Sequence, residues 1–349
     1  MARGQWEREM KMEEMNKQCI EKVIDRILQR KETDWNMDIE HFDWVPGVGL
    51  YGIFCAWEST KEPKYLNFLN GWIDRHLEEA YAQKTVNSTA PLLTVLSVYA
   101  VTKKERLLAV CEDLAQYIIH DAPLTIDGGL EHTVTEPGAG FSDQIWADTL
   151  FMVCIFLTKL SSVTGKTEYA TFAHKQLLLH LKLLSDGNGL FYHGYNGAQK
   201  NHMSAIRWGR ANGWIIYSTA KILQLSKNFD GRDEVEEALN RHAAALCRVQ
   251  DSGGGYHTIL DDPTSYIEIS ATAAIAAGMK LGNEIGVLKG EVRSAAERAI
   301  GAVVAAIAEN GDVGSVSTGT PVMPDADAYK KIGICPTLYG QGLAAVALS

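Results

Sequence analysis

The sequence lacks the features of secreted, membrane and nucleic-acid-binding proteins. Its first 30 residues contain neither the apolar segment nor the small-residue cleavage site of a secretory signal. No stretch approaches the ~18 uninterrupted apolar residues of a membrane-spanning helix. Acidic residues outnumber basic ones by 43 to 33, which gives a net charge of −10, so a basic nucleic-acid-binding surface is not expected. These absences predict a cytoplasmic protein without membrane or nucleic-acid partners.

Cysteine is also scarce and has no motif. The six cysteines are scattered singly, without a CxxC pair or a Cys/His cluster, and Cys55 and Cys154 lie within apolar helical segments. Buried thiols in a reducing compartment are therefore expected. The sequence contains no GxSxG elbow and no GxxxxGK[ST] phosphate loop, and the glycines at 253–255 lie between predicted helices without a lysine. We predict no metal and no cofactor.

Helical periodicity dominates the chain. The residues Ile20, Val23, Ile24, Ile27 and Leu28 follow the i, i+3, i+4, i+7, i+8 spacing of a helix with one buried stripe. Comparable stripes occupy residues 92–99, 107–119, 150–161, 172–184, 215–225, 235–246, 271–280 and 292–308. Strand-like alternation is confined to short pieces near glycines, such as 189–193. The fold class is therefore all-α.

Two kinds of loop alternate along the chain. Short polar loops at 59–65, 101–107 and 163–169 join apolar helices as in an αα-hairpin. Longer loops, rich in glycine with aromatic and histidine residues, begin near 127, 186, 251 and 310. They recur roughly every 60 residues, which predicts about six helical hairpins.

Six hairpins closed into a ring form an (α/α)6 toroid, or barrel, with the long loops and their short β pieces at one end. An open solenoid is the alternative, but it needs polar terminal repeats. The apolar segment 343–348 instead suits closure onto the first helix. Because no Pro- or Ser-rich linker divides the chain, we predict a single catalytic domain over residues 1–349, with the site among the long loops.

The densest chemical cluster is FSDQIWADTLFM at 141–152. Asp148 lies where the loop meets a predicted helix, beside Trp146 and Phe151. Desolvation by aromatic neighbours is expected to raise the pKa of this carboxyl and suit it to donate a proton. The structural alternative is an N-cap, which Asp provides well, and Asp143 is either that cap or an orienting residue.

A second cluster, RWGRANGW at 207–214, combines two Arg and two Trp. A guanidinium beside indole rings suits a sugar carboxylate, because it offers two parallel donors while an aromatic face stacks on the sugar. The structural alternative is an Arg paired with an acidic loop. Two loop histidines, His132 and His193, follow glycine turns, and His41, Asp43 and Trp44 form a similar group in the first repeat.

These segments resemble the unsaturated uronyl hydrolases of glycoside hydrolase family 105, which is related to family 88. The similarity runs from about Trp44 to the C-terminus and is most specific at 144–152, 191–195 and 208–214, with support from 266–272 and 340–342. The family has an (α/α)6 barrel, in agreement with the repeat count. Its members remove a terminal 4,5-unsaturated uronic acid from lyase-generated oligosaccharides.

The resemblance implies that one Asp hydrates the double bond, and Asp148 matches that residue. Substrate-binding positions match Arg210, Trp214, His132 and His193, and Trp146 offers a further stacking face. Two positions depart from the family pattern: Trp44 stands where a Tyr is usual, and Asn87 stands where relatives often have an Asp. The indole of Trp44 offers a stacking face in place of the Tyr hydroxyl, and the amide of Asn87 can hydrogen-bond where relatives have a carboxylate.

The sequence thus predicts a glycosidase that acts on unsaturated galacturonyl-rhamnose oligosaccharides from pectin-like chains. The substrate is a small oligosaccharide bearing a carboxylate, and the protein is a monomer or homodimer. One alternative is the same chemistry on unsaturated glucuronyl disaccharides, and another is a non-catalytic sugar-binding toroid. The sequence decides neither the epimer nor the adjacent sugar.

Overall fold

A computed structural model describes residues 2–30 and 38–349, with side chains from residue 14 onward. Fourteen α-helices are assigned within these ranges, together with two short strands and one π-helical turn. The helices are α1 (Ala2–Leu28), α2 (Trp44–Thr60), α3 (Pro63–His76), α4 (Glu79–Ala82), α5 (Val86–Thr102), α6 (Glu105–His120), α7 (Ile155–Thr164), α8 (Thr167–Leu183), α9 (Gly209–Leu225), α10 (Arg232–Val249), α11 (Ile269–Glu284), α12 (Val292–Ala305), α13 (Ala326–Lys330) and α14 (Leu338–Leu348). The strands are β1 (Gln144–Trp146) and β2 (Gly194–Asn196), and the π-helical turn is Leu150–Cys154.

The helices form an inner and an outer layer. The inner helices α2, α5, α7, α9, α11 and α14 are buried on nearly all sides, whereas α3, α6, α8, α10 and α12 bury one apolar stripe. A helix that is apolar all round needs neighbours on every side, and an amphipathic one suits the rim. Each inner helix packs against the next around the ring, and α14 contacts both α11 and α2. The predicted (α/α)6 toroid is confirmed.

Ring closure depends on a close approach of α14 to α2. A Cβ at Gly342 would lie 2.4 Å from the carbonyl oxygen of Val48, so only glycine allows the two backbones to pack at this distance. Gln341 links α14 to α1, because its side-chain amide donates to the backbone carbonyl of Val23 at 3.2 Å. The apolar C-terminal segment thus closes the ring as predicted, and the open solenoid is excluded.

Short turns join three inner helices to their outer partners at one end. Lys61, Lys103 and Gly165 each end a helix in the left-handed conformation, with φ of 59°, 55° and 76°. The next residue is extended and precedes the outer helix. Three predicted hairpin loops are therefore confirmed. All inner helices begin at the opposite end, where the long loops lie.

The long loops contain the only named strands of the described ranges. β1 pairs antiparallel with β2, with Trp146 opposite Gly194. The predicted strand at 189–193 is displaced, since β2 begins at Gly194, and α12 ends at Ala305 rather than at 308. No helix within residues 2–30 and 38–349 combines the length and apolar character needed to cross a membrane.

Candidate active site

A cavity of about 600 Å³ opens among the long loops. Trp44 is the first residue of α2, and Asn87 and Arg210 are the second residues of α5 and α9, so the N-terminal ends of inner helices meet in its wall. Unpaired N–H groups give a helix N-terminus a partial positive charge. These helix ends and Arg210 give the cavity positive groups, beside the acidic side chains Asp38, Asp43, Glu136 and Asp148 that also line it.

Asp148 is held at the cavity by the small sheet. β1 ends two residues before it, and the backbone N–H of Ala147 donates to the carbonyl of His193 at 3.0 Å. The π-helical turn begins two residues after it, and such turns occur often at functional sites. The predicted N-cap role is not seen, because the buried Oδ2 of Asp148 has no hydrogen-bond partner among the described residues.

The closest charged contact of Asp148 is His193. Its Oδ2 lies 3.3 Å from Nε2 of His193, and neither atom has an aligned hydrogen bond, so the pair is a close polar contact. Burial raises the pKa of Asp148, but His193, His132 and Arg210 together outweigh burial and hold the pKa below its usual value. The raised pKa expected from the sequence is therefore wrong, because aromatic burial is offset by three nitrogen-bearing neighbours.

His132 and Trp146 form one wall of the cavity. Their rings stack at 4.0 Å with an interplanar angle of 13°, and Phe141 lies 4.4 Å from the indole. Burial lowers the pKa of His132 to about 4, so this ring is neutral at neutral pH. Among the described residues, no three His, Cys, Asp or Glu side chains are grouped so that they could hold a metal ion.

Arg210 lines the cavity, and most of its guanidinium is engaged by the protein. The two terminal nitrogens donate to Ser317 and Thr318 at 2.9–3.0 Å, and the guanidinium lies 3.7 Å from the Glu268 carboxylate. Its side chain is 1% exposed and lies over the Trp208 ring at 4.4 Å. The structure thus pairs Arg210 with an acidic residue, as in the structural alternative, and leaves Nε as the donor without a partner among the described residues.

Trp44, Asn87, Trp146 and His132 line the cavity where the sequence places them, but two other predicted contacts do not. Trp214 is fully buried one helical turn below Arg210 and packs on Phe151 at a ring distance of 4.7 Å. Trp214 therefore does not line the cavity, and its predicted contact with a sugar is not seen in this structure. His193 is 1% exposed and lies behind Asp148, so it reaches the cavity only through that carboxyl.

Three lining features are absent from the predicted set of site residues. Asp43, in the sequence cluster with His41 and Trp44, is 8% exposed, accepts from Thr135 at 3.1 Å, and has a buried Oδ1 without a partner among the described residues. Burial raises its pKa. Trp208 replaces Trp214 as the lining indole of α9. The segment 318–321 carries no chemical signature and reaches the cavity only through the fold.

Comparisons with known proteins identify the family. Residues 19–349 match the model of Glycosyl Hydrolase Family 88. An unsaturated rhamnogalacturonyl hydrolase, YesR of Bacillus subtilis, is 34% identical over 333 residues, covering 95% of this chain and 94% of its own length. An unsaturated 3S-rhamnoglycuronyl hydrolase of an Alteromonas species is 28% identical over 58% of this chain and 50% of its own length.

A solved structure from Salmonella enterica, described as a possible member of the GH105 family, superposes with a TM-score of 0.89. It is 30% identical, and the match covers 95% of this chain and 92% of that chain. The chain belongs to Glycosyl Hydrolase Family 88, and the toroid with its cavity is that of a glycoside hydrolase.

Proposed function

We propose that the protein removes a terminal 4,5-unsaturated galacturonic acid from lyase-generated oligosaccharides of pectin-like chains, with rhamnose as the adjacent sugar. The rhamnogalacturonyl relative, similar along nearly the whole chain, supports this substrate. One observation supports the chemistry most: Asp148 borders the cavity with His193 directly behind it.

Asp148 acts first as acid and then as base. In the protonated form it transfers its proton to C4 of the double bond, and the positive charge at C5 is shared with the ring oxygen. Water then adds at C5 and gives its proton to the Asp148 carboxylate. Breaking the C5–O5 bond of this hemiketal leaves a ketone at C5 and a hemiacetal at C1, whose collapse releases the adjacent sugar.

The same carboxyl regains its proton in every cycle, so no second catalytic carboxylate is required. This differs from glycoside hydrolysis at C1, which uses a pair of carboxyl groups on either side of the bond. The lowered pKa of Asp148 favours the carboxylate that accepts the proton of the attacking water.

The cavity provides for a sugar bearing a carboxylate. The N-terminal ends of the inner helices provide positive potential for the uronate, and the partly exposed indole of Trp44 suits the apolar face of a sugar ring. Trp44, which stacks on Tyr339 at a ring distance of 4.9 Å, is the face we assign to the adjacent sugar. Asn87 has an amide that can hydrogen-bond a hydroxyl.

The second candidate substrate is an unsaturated glucuronyl unit, because the Alteromonas relative is a rhamnoglycuronyl hydrolase, a name that does not restrict the uronic acid to the galacturonyl type. Both epimers contain the same double bond, so Asp148 performs the same steps on either. Galacturonic and glucuronic acid differ only in configuration at C4, which becomes a trigonal atom of the double bond. The two unsaturated units therefore share one ring structure and differ in their linkage and in the adjacent sugar.

The test is the ultraviolet absorbance of the conjugated double bond. Enzyme is mixed with an unsaturated galacturonyl-rhamnose disaccharide, or with an unsaturated glucuronyl disaccharide that has another linkage and another adjacent sugar. Faster loss of absorbance on the galacturonyl compound is expected. Faster loss on the glucuronyl compound changes the substrate and keeps the chemistry, whereas loss on neither contradicts the proposal.

A further inference from the structure

Tyr329 reaches the site from an element that sequence analysis did not predict. It lies in the short helix α13 and is fully buried. Its hydroxyl oxygen is 2.7 Å from Nδ1 of His193, on the opposite side of the ring from Asp148. Tyr329, His193 and Asp148 therefore form a chain of contacts that runs from α13 to the cavity.

The direction of the Tyr329–His193 hydrogen bond follows from the third group at the hydroxyl. The backbone N–H of Met323 donates to the phenol oxygen at 3.2 Å and has no alternative role. The hydroxyl proton needs an acceptor. Nδ1 of His193 lies at 2.7 Å with hydrogen-bond geometry, whereas Oγ of Ser204, the other hydroxyl near the phenol, has no aligned hydrogen bond. We therefore take Tyr329 as the donor to Nδ1, which leaves Nε2 to carry the ring N–H that faces Asp148.

We propose that Tyr329 is a positioning residue, which fixes the Nε2–H tautomer of His193 and thereby assigns separate tasks to the two oxygens of Asp148. The inference rests on the proposed role of Asp148. Oδ2 is buried and faces the imidazole N–H, while the side chain keeps 15% exposure toward the cavity. The transferable proton is therefore carried on Oδ1.

A mutation at Tyr329 is expected to change the tautomer of His193 and not the charge of its neighbours. The charged and titratable groups around His193 are Asp148, His132, Arg210 and Tyr329. His132 is neutral above a pKa of about 4, and Arg210 is held by hydrogen bonds and by Glu268. Burial raises the pKa of Tyr329, so the phenol keeps the proton that it donates.

The test removes the hydroxyl with Tyr329→Phe. Without the donor, Nδ1–H becomes the competing tautomer, and the lone pair of Nε2 then faces Oδ2. This arrangement favours protonated Asp148, so the alkaline limb of the kcat/KM profile should move up, by about one pH unit or less because the 3.3 Å contact is weaker than an aligned hydrogen bond. The matched control is Tyr266→Phe, because that hydroxyl donates to the backbone oxygen of Tyr329 at 3.4 Å and otherwise lies near Thr258 and Ser317, away from the His193 ring.

A second readout does not depend on activity. Nitrogen NMR of 15N-histidine-labelled protein distinguishes the two tautomers of His193, assigned by comparison with His193→Gln. The wild type and Tyr266→Phe should show protonated Nε2, and Tyr329→Phe should show loss of that preference. If Tyr329→Phe does not fold, 3-fluorotyrosine can be placed at position 329. It keeps the shape of the tyrosine side chain and makes its hydroxyl a stronger hydrogen-bond donor, so the alkaline limb of the kcat/KM profile should move to lower pH.

Each outcome has one meaning. The role of Tyr329 is overturned if Tyr329→Phe leaves the alkaline limb of the kcat/KM profile unchanged, or if His193 of the wild type carries its proton on Nδ1. Full activity of Asp148→Asn instead overturns the proposed acid, while the NMR result still decides the tautomer.

Discussion

The side chain of His193 lies behind that of Asp148, with Nε2 and Oδ2 3.3 Å apart, and only the carboxyl reaches the cavity. This order means that the histidine acts on the substrate through Asp148. It also means that the pKa of Asp148 is set by a neighbour as well as by burial. The predictions below depend on this pair and on the residues that support the cavity.

Asp148→Asn should remove nearly all turnover. The amide has the shape of the carboxyl but can neither give nor take a proton, so kcat should fall by about 10²–10⁴. Circular dichroism and thermal unfolding should match the wild type. The control is Asp127→Asn, an exposed carboxylate in the same long loop. Comparable activity in the two variants would remove Asp148 from the mechanism.

The pH profile should show an acidic optimum. Asp148 must be protonated to donate, and its pKa in the free enzyme lies below the usual value. The protonated fraction, and with it kcat/KM, therefore falls as pH rises through the acid range. The bound uronate adds a negative charge that raises this pKa, so the limb of kcat should lie at higher pH. A kcat/KM that stays flat to neutral pH contradicts this assignment.

Arg210→Ala should act mainly on stability. It leaves the fully buried carboxylate of Glu268 without its cation and frees the carbonyl of Thr318, a loss of about 3–5 kcal/mol in the free energy of unfolding. Arg241→Ala is the control, since its ion pair with Glu237 has side chains that are 58% and 70% exposed and should be worth about 1 kcal/mol or less. Urea unfolding measures both. A stable Arg210→Ala enzyme with a raised KM would restore the carboxylate clamp.

Asp43→Asn should weaken substrate binding more than catalysis. Asp43 is the second buried carboxyl at the cavity. Its Oδ1 has no partner among the described residues and borders the cavity, so we expect it to accept from a sugar hydroxyl. Losing a bond to a charged acceptor should raise KM by about 10–100-fold with kcat little changed. A fall in kcat as large as that of Asp148→Asn would indicate two catalytic carboxyl groups.

Much of the fold follows from local sequence patterns. Apolar stripes such as that of Ile20–Leu28 place most helices, because a 3.6-residue period survives in any amphipathic helix. The helix α2 is apolar on all sides and has no such stripe. Its periodicity therefore does not predict it, and its position follows only from the packing of the neighbouring helices. The small strand β2 depends on its pairing with β1, and for that reason the predicted alternation at 189–193 misplaces it.

The site is predictable where its chemistry is local. Asp148, Trp146 and their neighbours are adjacent in sequence, and the cluster identifies them. The lowered pKa is not predictable in this way, because His193 lies 45 positions further along the chain. Arg210 is similar, since its acceptors at 317 and 318 reach it only when the ring closes. Trp214 is misassigned because four residues along α9 amount to a full turn, about 6 Å deeper into the barrel.

The most direct test of hydration is to run the reaction in heavy water and follow the released uronic acid by proton NMR. Protonation of C4 by Asp148, which exchanges its proton with solvent, predicts one deuterium at C4 and loss of the vinyl proton signal, at the rate at which the adjacent sugar appears. Release of that sugar with the C4=C5 double bond intact would show attack at C1 and contradict the mechanism.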